Sequence, residues 1–409
     1  MDDIFGEKSN LKDPINDPKR DSSKAQNPEN KRTKCPSQKQ WFIIILIISI
    51  FLFFVFILII ILSPSDKNDQ KKTEVKVSEI VCFYSIVDFS KEIQILSQDY
   101  ENFNQSITNI EINALDEINV TKIKYSKTYT FKKNGKFRIK FLLNQNVYMN
   151  SMFKNILYLN KVEMFSNSST NIISMERVFD SCLDLQIVSI KGFNTKKVNS
   201  TFKLFYNTKL YNLTLNNFTT ENVEDMSYMF ASTNIMKFNL EEFDTKKVKN
   251  MSNMFSNSKS FSFLDLYYFN TSQVKDMSSM FKNCWSLEEL NISNFETSKV
   301  ENMSEMFYYC STLISLNLST FNTNQVTSMS YMFYNSYTIT KLDLSKFDTS
   351  KVIDMTHMFD NCKAVSEINI NINNFDTSKV TNMSYMFSYC NVLSSINLIK
   401  FETSKDNKA

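Results

Sequence analysis

From about residue 147 to the end of the chain, the apolar positions recur with a fixed period. One phenylalanine returns at Phe193, Phe218, Phe243, Phe269, Phe295, Phe321, Phe347, Phe375 and Phe401. A second returns at Phe153, Phe179, Phe205, Phe230, Phe255, Phe281, Phe307, Phe333, Phe359 and Phe387. Two frames held together at a period near 26 residues mark a repeat architecture of about ten units. The unit from Phe295 to Thr320 shows its three parts. Leu313, Leu316 and Leu318 alternate with polar residues, which predicts a short strand with one buried face. The F-x-T-x-x-V segment (Phe347, Thr349, Val352 in a sister unit) predicts a return bend whose hydroxyl bonds to nearby backbone. Met303, Met306 and Phe307 form an M-x-x-M-F motif, whose spacing suits a single turn of α- or 3₁₀-helix over the core. Asp276, Asn302, Asp354 and Asn382 precede this motif as candidate caps. No unit can bury its own apolar side. Stacking supplies the missing partner, so one continuous parallel sheet is expected, with strands about 4.8 Å apart.

The pattern changes upstream. Residues 41–62, from Trp41 to Leu62, contain no charge and are long enough to cross a hydrocarbon layer roughly 30 Å thick. A transmembrane signal anchor is expected there. A cleaved signal peptide is opposed by the long polar leader and by the length of the apolar run. Lys24, Lys31, Arg32, Lys34 and Lys39 before the segment slightly outweigh Lys67, Lys71, Lys72 and Lys76 after it, which places the leader inside and the repeats outside. Residues 1–40 read as a disordered cytoplasmic tail and residues 63–76 as a juxtamembrane stalk. Residues 77–146 read as a small β-rich N-terminal cap on the first repeat, with a hairpin centred on Asn134-Gly135. Residues 147–409 form the repeat region.

Composition narrows the chemistry. The net charge is +3, which supplies no footprint for nucleic acid. Three glycines exclude a dinucleotide fold resting on a Gly-rich turn. One histidine, His357, leaves no multi-histidine metal site, and its repeat position is variable and reads as exposed. No cofactor or metal is expected. Of seven cysteines, Cys182, Cys284, Cys310, Cys362 and Cys390 share one repeat position. They read as a column of small buried thiols. The alternative is disulfides between adjacent turns, Cys284 to Cys310 or Cys362 to Cys390, where the geometry permits.

The series Phe295, Thr297, Val300, Met303, Met306, Phe307, Cys310, Leu313, Leu316 and Leu318 resembles the repeat of BspA-like surface proteins. These are leucine-rich-repeat-like, and their repeat is also described as a domain of unknown function in mycoplasmas. The resemblance implies a leucine-rich-repeat-like solenoid with a parallel strand ladder, and for some members adhesion. It implies no catalytic residue. A membrane-anchored surface protein binding a protein or glycan ligand is therefore expected, with the lipid bilayer engaged through residues 41–62. A structural coat or spacer is the alternative, and an enzyme is disfavoured. The expected binding face is the outer side of the strand ladder, at Glu289, Asn291, Ser315, Asn317, Lys341, Asp343, Glu367, Asn369, Ser395 and Asn397. Tyr228, Tyr331 and Tyr385 share the position of His357, with Tyr308 and Tyr309 nearby, and offer aromatic anchors in a neighbouring strip.

Overall fold

The computed structural model describes residues 78 to 404, apart from 125, 168–169, 237–238, 371–374, 395, 397–400 and 403. The expected tail, membrane segment and stalk lie outside the described residues, as do Ser395 and Asn397. Among the described residues no helix is long and apolar enough to cross a membrane.

The first part of the described chain is antiparallel. It runs through β1 (Glu79–Ile86), β2 (Glu92–Gln94), the short α1 (Phe103–Ser106), β3 (Ile107–Ala114), β4 (Thr121–Ile123), β5 (Thr128–Thr130) and β6 (Gly135–Leu143). After β7 (Asn146–Tyr148) the repeats begin, with β8 (Leu159–Phe165), β9 (Asn171–Ser174), β10 (Ile187–Lys191) and β11 (Asn212–Asn216). Strand β1 lies antiparallel between β6 and β8. The cap and the first repeats therefore share one seven-stranded sheet, ordered β11-β10-β8-β1-β6-β3-β4. Ile80, Cys82, Tyr84 and Ile86 alternate inward and are fully buried. By pairing with β8, β1 covers the edge that the first parallel strand would otherwise leave open.

The expected hairpin around Asn134-Gly135 does not form. β5 pairs with β2, whereas β6 pairs with β1 and β3. Both edges of β6 are occupied, so β5 cannot fold back onto it. The rings of Phe131 and Phe137 meet instead, 4.5 Å apart.

The rest is a β-solenoid of about eight turns. A column of parallel bridges runs unbroken through Ser200, Asp225, Asn250, Asp276, Asn302, Ser328, Asp354 and Asn382. Of the ten expected units, the first two are joined instead through β7 and β9, which pair parallel. The expected continuous sheet is broken. Beyond β11 the strands are β12 (Phe263–Asp265), β13 (Glu289–Asn291), β14 (Lys341–Leu344) and β15 (Glu367–Ile370). Among the described residues they pair as β12 with β13 and β14 with β15. Residues 313 to 318 carry no strand at all. One cause is local: Asn239, Asp265, Asn291, Asn317 and Asp343 each accept the backbone N–H two residues ahead. Such side-chain turns compete with the ladder and end it early.

The M-x-x-M-F motif is not a helical turn. In the unit around Phe307, the N–H groups of Met303, Glu305, Phe307 and Tyr309 donate to the next turn, at Ser328, Ser330, Met332 and Tyr334. Those of Met306, Tyr308 and Cys310 donate to carbonyls three residues back. The N–H of Ser304 donates to Asn302 Oδ1 at 3.0 Å, as the cap reading expected. Every backbone donor from Met303 to Cys310 therefore has a partner. Interleaving the two sets requires positive φ at the third residue of a reverse turn, here Glu305 at 58° and Tyr309 at 57°. The same two positions are positive in turn after turn. Inside, the phenylalanines of the second frame stack face to face from Phe153 to Phe387, with centroids 5.4 to 6.1 Å apart.

Candidate functional site

The ladder residues divide into two kinds. Glu289 and Glu367 are exposed on β13 and β15, and Ser315 is exposed on a segment without strand. Lys341 pairs with Glu367 across adjacent turns at 2.9 Å. Asn291, Asn317 and Asp343 hold the side-chain turns that end their own segments. Asn291 Nδ2 also donates to Asp265 Oδ1 at 2.9 Å. Asn369 lies opposite Asp343 in β15. The face is polar and mixed in charge, and five of its described members are engaged in side-chain turns or the Lys341–Glu367 pair.

Two buried polar columns hold successive turns together. The hydroxyls of Thr271, Thr297 and Thr323 each donate to a carbonyl of the next turn and accept an N–H from it. For Thr297 the partner is Asn322, at 2.9 and 2.8 Å. The expected local bond is thus an inter-turn bond, because the bend brings Thr297 against the following coil. The second column is the cysteine position, occupied in order by Cys182, Thr208, Thr233, Ser258, Cys284, Cys310, Ser336, Cys362 and Cys390. All can donate. Cys284, Cys310, Ser336 and Cys362 bond the carbonyls of Phe255, Phe281, Phe307 and Phe333 in the preceding turn, at 3.0 to 3.2 Å. The thiols are free, so the alternative of inter-turn disulfides is set aside. Burial raises them well above the ordinary thiol value, Cys284 to about 12. They therefore stay protonated and able to donate.

The most distinctive surface is an aromatic strip on the positive-φ side. Trp285 meets Tyr309 edge to face at 6.0 Å. Tyr309 continues to Tyr337 at 5.8 Å and to Tyr308 at 6.3 Å. Tyr308 stacks on Tyr334 at 4.8 Å. Tyr331 stacks on His357 at 4.7 Å, and His357 on Tyr385 at 4.8 Å. Tyr334 meets both Tyr331 and His357, which joins the two piles. Eight rings thus form one connected surface over five turns. Trp285 and Tyr385 are 38% and 67% exposed, and the others are half-buried. His357 is accordingly not the exposed side chain expected: it is clamped between tyrosines, and its Nδ1 donates to Asp360 at 2.6 Å. Desolvation raises the hydroxyls of Tyr308 and Tyr331 above the ordinary phenol value and pushes Tyr337 up to about 12, with a contribution from a hydrogen bond with Tyr309.

Cations frame the strip. Lys259 lies over Trp285 at 4.7 Å, Lys282 over Tyr308 at 4.7 Å and Lys363 over Tyr337 at 5.3 Å. Lys282 is paired with Glu305 at 2.6 Å. A smaller group places Lys203 over Phe202, Tyr206 and Tyr228. Four of the strip's rings, Tyr308, Tyr309, Tyr331 and Tyr385, were legible in the sequence as aromatic anchors, and His357 was not. Trp285, Tyr334 and Tyr337 were missed, although their aromatic character at neighbouring offsets in successive units was a readable signal. Among the described residues no cluster of three or more His, Cys, Asp or Glu could hold a metal ion.

The family model described as "Mycoplasma protein of unknown function, DUF285" matches residues 126–243, 173–289, 232–341 and 336–409. No curated protein and no solved structure matches the chain.

Proposed function

The chain belongs to that family, and from this premise we propose that it is a membrane-anchored, BspA-like surface protein whose leucine-rich-repeat-like solenoid binds an external partner. Residues 41–62 act as its signal anchor, and the solenoid faces outward. It works by adhesion and carries out no catalysis. One observation supports the binding reading above all: the strip of eight linked rings lies at surface positions where sister turns carry mostly polar or charged residues. Connected, partly exposed tyrosine and tryptophan is the composition of binding hot spots. An aromatic surface this extended is unusual for a face that only meets water. The ladder residues flank the repeat on another side and supply polar complementarity.

The test uses intact cells and the full chain. Surface labelling with protease mapping should find residues 78–404 outside. Replacing Tyr308, Tyr334 and Tyr337 together by Ser should abolish adhesion to a host or matrix surface while the solenoid stays folded. Location of the repeats in the cytoplasm, or adhesion unaffected by the triple change, would overturn the proposal. Unchanged adhesion with the protein still at the surface would favour the coat or spacer role.

A further inference from the structure

We infer that the aromatic strip is a binding site for a linear acidic polysaccharide laid parallel to the solenoid axis. The inference rests on the reading of the strip as a binding surface and names the chemistry of its ligand.

The first support is spacing. Along the strip equivalent rings recur at 4.7 to 4.8 Å, one step per turn. A partner that uses successive turns in the same way must repeat at a similar interval. An extended peptide advances about 3.3 Å per residue and presents same-side groups at about twice that, so it falls out of step. A linear β-linked pyranose chain advances roughly one strand spacing per unit, so the like groups of an alternating disaccharide recur at roughly two spacings and meet every second turn in register.

The second support is the kind of group presented. The piled rings lay their faces against one another and, being only partly exposed, offer a ligand part of each ring and its hydroxyl rather than a flat apolar face. Trp285 and Tyr309 stand nearly perpendicular, at 88°, and so break the pile. Phenol hydroxyls beside partly exposed rings suit the mixed hydrogen-bonding and C–H surface of sugars. They do not suit a purely apolar partner.

The third support is charge. Lys259 and Lys363 occupy the same repeat position, four turns apart, one toward each end of the strip. Among the described residues neither has a carboxylate within ion-pair distance, whereas Lys282 is neutralised by Glu305, and Asp360 lies against His357. The centre therefore carries no free cation and the two ends are cationic. That pattern complements carboxylates spaced along a chain.

The test uses the full chain in detergent. The chain has two tryptophans, so Trp41→Phe leaves Trp285 as the only indole reporter. The probes are an octasaccharide alternating glucuronic acid with N-acetylglucosamine, its tetrasaccharide, and a neutral octamer of β-linked N-acetylglucosamine. The acidic octasaccharide should change Trp285 fluorescence saturably, bind more tightly than the tetrasaccharide, and weaken with salt. Lys259→Gln with Lys363→Gln should cost about tenfold in affinity and flatten the salt dependence. No saturable change, or equal affinity for the neutral octamer, overturns the inference. Adhesion measured as above separates the two levels. If it depends on the strip, survives periodate treatment of the target surface and is lost to protease, the polysaccharide is wrong and the binding reading stands. If it does not depend on the strip, both fall.

Discussion

The two long sides of the solenoid obey different rules. On the M-x-x-M-F side, in the unit from Met303 to Cys310, each backbone donor has a partner, and half of those partners lie in the next turn. Met303, Met306 and Phe307 are fully buried, as are their counterparts in most turns. On the strand side the ladder breaks between β13 and β14, where residues 313 to 318 carry no strand. Its outward residues are exposed and several are diverted into side-chain turns. The side with strand-like sequence is therefore the looser one, and the side that reads as a helical turn carries the continuous inter-turn hydrogen bonding. Stability in such an array comes from interfaces between neighbouring turns. Regular recurrence of a residue along the chain marks where that interface is made.

The largest effect should come from the stacked core. Phe307→Ala removes a fully buried ring stacked at 5.7 and 5.6 Å on its neighbours. It should cost about 3–5 kcal/mol in denaturant unfolding. Leu316→Ala, in the strand segment of the same unit but only half-buried, should cost about 1 kcal/mol. Equal losses would erase the distinction between the two sides.

Polar groups should divide the same way. Thr297→Val keeps the volume of the side chain but leaves the N–H and carbonyl of Asn322 without their partner. A loss of about 2 kcal/mol is expected. Asn317→Ala removes one exposed side-chain turn and should cost under about 1 kcal/mol. Hydrogen exchange at Asn322 should accelerate in the first variant and stay unchanged in the second.

The sequence disclosed this asymmetry unevenly. The burial of Met303, Met306 and Phe307 followed from their period, and the cap role of Asn302 followed from its chemistry. The conformation between them did not. Positive φ is ordinarily signalled by glycine, and here Glu305, Tyr331 and His357 adopt it because bonds to the next turn hold them there. A weaker signal was present: Asn257, Asn283, Asn335 and Asn361 recur at the second positive-φ position, and asparagine tolerates that region. The bond of Thr297 was misjudged, and the donor role of Cys310, whose burial as a free thiol was expected, was not seen, for one reason. Their partners lie a full turn away, and a single unit read alone points only to local bonds or to packing. The strip was visible in Tyr308, Tyr309 and Tyr331, but its continuity needs the rotation of one turn on the next.

The thiol column adds a pH test of the buried interface. The native Cys284 thiol is held up to about 12, against an ordinary 9.0, mainly by desolvation. In the unfolded chain it loses its proton at lower pH. Its contribution is therefore complete below about pH 9 and is lost as pH rises toward 12. By pH 10 it should cost about 1 kcal/mol. Cys284→Ser retains the donor, as Ser336 does naturally, and should flatten this alkaline slope while leaving stability at neutral pH little changed. An identical alkaline slope in the serine variant would mean that the thiol is not shielded in the folded chain.

The smallest effect has the opposite sign. Tyr389 sits at the same repeat position as Asn335 and Asn361, with φ of 54°, and is 69% exposed. A bulky side chain is poorly suited to that conformation, and asparagine is better suited. Tyr389→Asn should raise stability by a few tenths of a kcal/mol to about 1 kcal/mol. It should gain further if the new amide continues the Asn335–Asn361 contact. If thermal stability rises while adhesion weakens, Tyr389, which shares the repeat position of Tyr309 but lies outside the eight linked rings, extends the binding surface at the expense of the fold. If stability falls, Tyr389 is a prop for the last described turns, and aromatic residues on this side would have to be weighed as part of the scaffold, alongside Phe307 and its stack.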